Sequence, residues 1–144
     1  MSIARETTSG EGGPRRRVVR SIGAILFAFI AIGVLTLCVD QIFHALGVYP
    51  PWGEPMLEPG LNLLALSYRL IITVTGGYLV ASLAPHSPVR HALILGGIGL
   101  VLGSLGGLAA RDMSPTWFLV AVAITPPLCT WLGARVYLQG RDGE

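Results

Sequence analysis

Residues 60–84 read GLNLLALSYRLIITVTGGYLVASLA, an apolar run in which Arg69 is the one charged side chain. A helix needs about 20 mostly apolar residues to cross the roughly 30 Å of hydrocarbon in a bilayer. The length and apolarity of this run therefore predict a membrane-spanning helix rather than a core helix of a soluble domain, even though the run carries a charge.

Three further apolar runs of similar length contain no charge; they are residues 21–39, 92–110 and 115–134. The chain of 144 residues is 52% apolar and 12% charged, whereas soluble domains carry about 25% charged residues. We therefore predict an all-α, polytopic membrane protein, a bundle of four transmembrane helices in one membrane domain at 18–138. The predicted helices are residues 18–46, 60–84, 88–110 and 115–138.

The segments outside these helices are polar or rich in turn-forming residues. Residues 1–17 contain glycine, serine, threonine and an arginine cluster, so we predict a disordered basic cytoplasmic tail there. A basic segment followed by an apolar run also resembles a secretory signal, but Leu37 before Cys38 is unsuited to lipoprotein cleavage, so we expect an uncleaved helix. Residues 47–59 are expected to form a Pro-rich outer loop, and residues 139–144 a second cytoplasmic tail.

The arginines predict the orientation, because positive residues in short loops are retained on the cytoplasmic side. One predicted side has only Arg111 in its loops, whereas the other has Arg5, Arg15, Arg16, Arg17, Arg20, Arg90, Arg135 and Arg141. Both termini are therefore expected to be cytoplasmic. All ten basic residues are arginine, as is typical of proteins from GC-rich bacteria, so we predict a location in a bacterial inner membrane.

The third helix carries glycines at spacings of three and four residues, namely Gly96, Gly99, Gly103 and Gly107. In lipid, helices associate closely through small residues that share one face. This pattern predicts that helix three lies at the centre of the bundle. The glycine face could pack within the chain, or it could join two protomers or dock on a larger membrane partner, and the sequence is compatible with each.

Arg69 is the most unusual residue of the sequence. It lies about 13 Å below the outer end of its helix at 1.5 Å per residue, and a charge near the bilayer centre costs at least about 2.5–3.5 kcal/mol on insertion scales. Small and polar residues recur around it at helical spacing, namely Glu58, Asn62, Ala65, Thr73 and Gly76. Such a stripe is predicted to face other helices, and an intramembrane charge is by default a candidate functional site.

Two sets of groups could hold Arg69. Asp40 and His44 share one face near the outer end of helix one. In helix four, Pro126 and Pro127 leave carbonyl groups without hydrogen bonds one turn earlier, at Val122 and Ala123, and these could accept from the guanidinium. Arg69 is then either structural, or part of a ligand site with Asn62, Thr73, Asp40 and His44 in which the two prolines act as a hinge.

No motif for chemistry is present. The sequence has no phosphate-binding loop, no nucleophile beside a base and no set of aromatic residues suited to nucleic acid. Asp40 and His44 could ligate a metal only with help from Glu54 or Glu58 in the loop. We therefore expect no enzyme activity, no cofactor, no metal and no nucleic-acid partner.

Two functional hypotheses follow for a protein whose evident partner is the lipid bilayer. The first is a non-enzymatic module that oligomerises or docks on a larger membrane protein; it expects Gly99 or Gly103 replaced by leucine to abolish association. The second is a small transporter or channel for an anionic or polar solute that uses Arg69; it expects Arg69→Ala to remove solute flux without unfolding.

Overall fold

The computed structural model describes residues 13–143, and its secondary structure there is entirely helical. Each of its four helices is long and apolar enough to cross a membrane, as expected of a multi-pass membrane protein. The helices are α1 Pro14–Ala45, α2 Pro59–Leu83, α3 Pro88–Ala109 and α4 Thr116–Asp142. The prediction of an all-α bundle of four membrane-length helices is therefore confirmed.

Two helix ends differ from the prediction. Helix α1 begins at Pro14, so residues 14–17 are helical and not disordered, because proline is well suited to the first helical position and no helix breaker follows it before Gly23. Residues 1–12, the rest of the predicted tail, lie outside the described residues. Helix α4 continues to Asp142, four residues past the predicted end, since Gly140 alone does not stop a helix.

Helices α2 and α3 each pack against all three other helices, whereas α4 packs along α2 and α3, and α1 packs against α2 and, less extensively, against α3. The prediction that helix three is central agrees with the contacts of α3 with every other helix, but α2 shares this position. The most extensive interfaces of the bundle are those of α4 with α3 and with α2. The inner core consists mainly of small side chains; its buried members are Ala24, Ala28, Val80, Ala81, Ala92, Leu95 and Ala134.

The glycine face of α3 packs against α4 of the same chain. A Cβ atom added to Gly96 would lie 2.6 Å from the Cα atom of Pro127, and one added to Gly103 would lie 3.1 Å from the Cα atom of Ala123. Gly99 and Gly107 face side chains of α4 as well. The glycine face thus packs within the chain, as one of the predicted alternatives expects.

Candidate functional site

The central feature of the site is an ion pair between α1 and α2. The Arg69 Nη2 atom lies 2.7 Å from the Asp40 Oδ2 atom, and the two side chains are 32% and 11% exposed. Asp40 faces inward although it lies only one and a half turns from the end of α1. The carboxylate near the end of α1 is therefore the partner of Arg69, one of the partners the sequence predicted. We call this end of the bundle, with the loop at 47–59, outer after its predicted orientation.

Two tyrosines extend this pair. The Tyr68 hydroxyl donates to Asp40 Oδ1, and the Tyr49 hydroxyl donates to the Tyr68 oxygen over 3.4 Å. The Phe43 ring packs against both tyrosine rings, with centroid distances of 5.2 and 5.7 Å. Both oxygens of Asp40 thus have a partner. Burial raises the pKa of the Tyr49 hydroxyl above its ordinary value.

His44 contacts the loop at 47–59, although it lines one cavity together with Asp40. The His44 Nδ1 atom lies 2.7 Å from the Pro50 carbonyl oxygen, and its ring stacks on Trp52 with centroids 4.0 Å apart. His44 thereby holds the outer loop against the end of α1. The same loop is joined to the loop between α3 and α4, because the Met56 amide donates to the Met113 carbonyl over 2.8 Å.

Asn62 also serves the loop, although the sequence placed it on the ligand-binding stripe. Its side chain is fully buried, and Nδ2 donates to the carbonyl oxygens of Met56 and Glu58, each at 2.8 Å. These bonds fix the chain where it enters α2. Thr73 does lie near Arg69: its hydroxyl donates to the Arg69 carbonyl over 2.7 Å, as a threonine in a helix commonly does.

The guanidinium of Arg69 lies between two cavities. The outer cavity has a volume of about 190 Å³ and lies under the outer loop, where Asp40, His44, Tyr49, Trp52 and Glu54 contribute polar or aromatic groups. The inner cavity, of about 150 Å³, lies among the helices and is lined by Arg69, Thr36, Thr73, Thr125, Gly99 and Pro126, among others. Arg69 is the residue that lines both.

The prolines of α4 shape the inner cavity but do not bind Arg69. Helix α4 is continuous through Pro126 and Pro127, and Pro126 packs on Gly99. Among the described residues, Asp40 is the hydrogen-bond acceptor for the guanidinium, so the expectation that the carbonyls of Val122 and Ala123 hold it is wrong. The Val122 carbonyl instead faces Gly103, where an added Cβ atom would lie 3.4 Å away.

One buried nitrogen atom of the Arg69 side chain lacks a hydrogen-bond partner among the described residues. This atom is Nε, and an arginine side chain offers five N–H donors in all. A buried donor without a partner costs about 1–3 kcal/mol. The guanidinium therefore retains donor capacity after it has paired with Asp40.

Sequence reasoning found Arg69, Asp40 and Thr73 and missed the two tyrosines. Tyr68 directly precedes Arg69, and successive helix positions point in directions about 100° apart, so the stripe containing Arg69 excluded it. Tyr49 lies in the outer loop, and its position depends on how that loop folds back. The tyrosine directly before Arg69 was the available signal.

Comparison with models of known families, with curated proteins and with solved structures gives no match to this chain. The function of the site is therefore inferred from its geometry. The site is thus defined as the Arg69–Asp40 pair, its two tyrosines and the two cavities that meet at Arg69.

Proposed function

We propose that the protein is a small transporter or channel of a bacterial inner membrane, which passes a small anionic or polar solute through the bundle with the Arg69–Asp40 pair as its gate. The observation that carries the proposal is that Arg69 lines both the outer and the inner cavity. A solute moving from one cavity to the other must pass the guanidinium. An intramembrane charge that faces a cavity inside a helix bundle is typical of a solute pathway.

The chemistry of Arg69 supports an anionic solute. The guanidinium keeps its positive charge under all physiological conditions and presents donors in a planar fork that suits carboxylate and other oxyanions. One donor contacts Asp40 over 2.7 Å, whereas the side chain is 32% exposed and an arginine has five N–H donors in all. An anion in the inner cavity could therefore bind the same guanidinium.

The surroundings of the pair support gating over a purely structural role. Asp40 and Arg69 belong to different helices, and α1 is the helix with the least extensive packing in the bundle. A small movement of α1 relative to α2 would separate the two charges without disturbing the tight α2–α4 and α3–α4 interfaces. Pro126, which lines the inner cavity, is the proposed hinge on the opposite wall, since proline lacks the N–H group that would tie it to the preceding turn.

The proposal is tested by anion flux in proteoliposomes. Purified protein is reconstituted in sealed vesicles, a potassium diffusion potential is imposed with valinomycin, and uptake of nitrate and methanesulfonate is measured. The native chain is expected to take up at least one of them well above protein-free vesicles. Arg69→Gln should reduce this uptake at least tenfold, because it removes the charge that binds the anion.

The matched control is Arg111→Gln. Arg111 is the other arginine on the predicted outer side, and its side chain is 77% exposed, so its loss should leave the flux within about twofold of native. Size-exclusion chromatography in detergent verifies that both variants remain folded. Native uptake equal to that of empty vesicles, or equal uptake by the folded Arg69→Gln variant, would overturn the proposed function.

The proposed pathway requires an orientation, with both termini cytoplasmic and the loop at 47–59 outside. A green fluorescent protein fused after residue 144 is expected to fluoresce, and alkaline phosphatase at the same position to be inactive. Alkaline phosphatase inserted after Gly53, an exposed loop glycine, is expected to be active. The reverse activities would show that the bundle has the opposite orientation, with the loop at 47–59 on the cytoplasmic side.

A further inference from the structure

We propose that the solute is a small monovalent oxyanion and that it crosses together with one proton carried by Asp40. This inference rests on the proposed function and specifies its substrate class and its coupling. It is drawn from the size of the inner cavity and from the different positions of the two charged groups. Asp40 lines the outer cavity, whereas Arg69 lines both cavities.

The size of the inner cavity limits the solute. Its volume is about 150 Å³, and an apolar cavity of that size in another protein holds a molecule of about six heavy atoms, benzene. Nitrate, methanesulfonate and small carboxylates satisfy this limit, whereas a naphthalenesulfonate does not. Arg69 supplies one positive charge to this cavity, which matches one negative charge on the solute.

The hydroxyl groups around the inner cavity are compatible with such an ion but do not compete for it. The Thr73 and Thr125 hydroxyls each donate to a backbone carbonyl four residues earlier, both over 2.7 Å. Because these hydroxyl hydrogens are already used, the two threonines offer no donor to an anion. The guanidinium is thus the main binding group, and an anion carrying two charges would be only half neutralised.

A proton is needed because Asp40 and the anion compete for the same guanidinium. While Asp40 is ionised, it neutralises the guanidinium, and a second anion at that guanidinium would leave a surplus negative charge in a low-dielectric region. A proton that binds Asp40 Oδ2 releases Arg69, while Oδ1 still accepts from Tyr68. The anion then takes the place of the carboxylate. After the anion has left through the inner cavity, the proton leaves Asp40 Oδ2 on the same side, past Arg69, which lines that cavity, and the ion pair forms again.

One cycle of this exchange moves no net charge across the membrane. One anion and one proton enter, Arg69 stays protonated throughout, and Asp40 alternates between its neutral and ionised forms. When Asp40 is protonated and no anion is bound, the partly buried guanidinium has no counter-charge, which is disfavoured. The two binding events are therefore coupled tightly, and neither the anion nor the proton should cross alone.

The groups that face Asp40 are compatible with this exchange. From α2 they are Tyr68 and Arg69, and from the outer loop they are Tyr49 and Glu54 of the same cavity. His44 lies one turn further along α1 and is held by the loop. Helix α4 and the loop before it contribute only uncharged residues there. Arg69 is the one basic side chain paired with Asp40, so protonating Asp40 acts directly on the gate.

The test uses proteoliposomes that contain a trapped pH indicator, with nitrate added outside and no imposed potential. Nitrate entry is expected to acidify the lumen with one proton for each nitrate. Lowering the external pH should raise the rate of nitrate entry, because the proposed cycle takes up one proton with each nitrate. Naphthalenesulfonate should produce no signal.

Asp40→Asn mimics the protonated side chain and is expected to pass nitrate without acidifying the lumen and without dependence on pH. Asp112→Asn, at a side chain that is 87% exposed, is the matched control and should behave as native. If Asp40→Asn does not fold, the native ratio of protons to nitrate decides alone. Nitrate flux without acidification would overturn the coupling but leave the proposed function intact, whereas the absence of flux under either condition would overturn both.

Discussion

Replacing Gly133 with alanine is expected to disrupt the bundle more than a glycine-to-alanine substitution at any other position. A Cβ atom at this position would overlap the Val74 carbonyl oxygen and would lie 2.5 Å from the Tyr78 nitrogen. These are backbone atoms of α2, so they cannot rotate away as a side chain could. Helices α2 and α4 would have to separate along much of their shared length.

The size of the effect follows from the kind of clash. Overpacking a core with a side chain costs about 1–3 kcal/mol, and a clash between two helix backbones should reach or exceed the upper end. The melting temperature in detergent is expected to fall on the order of 10 °C, with aggregation during purification. Thermal unfolding followed by circular dichroism measures the change.

The control for this substitution is Gly97→Ala on α3. A Cβ atom at Gly97 has no neighbour within 4 Å among residues 13–143, and alanine is favoured over glycine inside a helix by up to about 1 kcal/mol. This variant should melt at or slightly above the native temperature. A Gly133→Ala protein that melts together with it would contradict the close approach of α2 and α4.

The sequence predicted the helices well because the thickness of a bilayer is a physical constant that apolar run lengths must match. It did not predict the arrangement of those helices. The regular glycines of α3 pointed to a contact surface, but the tightest backbone approach in the bundle is between α2 and α4, at Gly77 and Gly133. Helix α4 carries no run of glycines at spacings of three or four residues, so its close contact with α2 could not be predicted from such a pattern.

The site was predicted in part for similar reasons. Arg69 is conspicuous by its depth, and Asp40 is an outer carboxylate near enough to reach it. His44 and Asn62 instead hold the outer loop, because a proline-rich loop has several carbonyl groups that need donors and these side chains are the nearest ones. The path of such a loop depends on contacts remote in sequence, which a local pattern does not specify.

The double substitution Asp40→Leu with Arg69→Met is expected to leave the protein folded but without anion flux. Removing one partner of a partly buried ion pair is strongly destabilising, by about 3–5 kcal/mol for a fully buried pair, because it strands the other charge. Replacing both partners with apolar residues of similar volume is often neutral or stabilising. Asp40→Leu alone should therefore melt well below both the native protein and the double variant.

The double variant separates a structural role of the pair from a functional one, which single variants at Arg69 do not achieve as cleanly. Thermal unfolding and nitrate uptake are measured on the same preparations, with Arg111→Met combined with Asp112→Leu as the exposed control pair. A stable double variant without uptake assigns the pair to the solute pathway. A stable double variant that still takes up nitrate would mean that the anion bypasses Arg69, and the pair would then serve only to join α1 to α2.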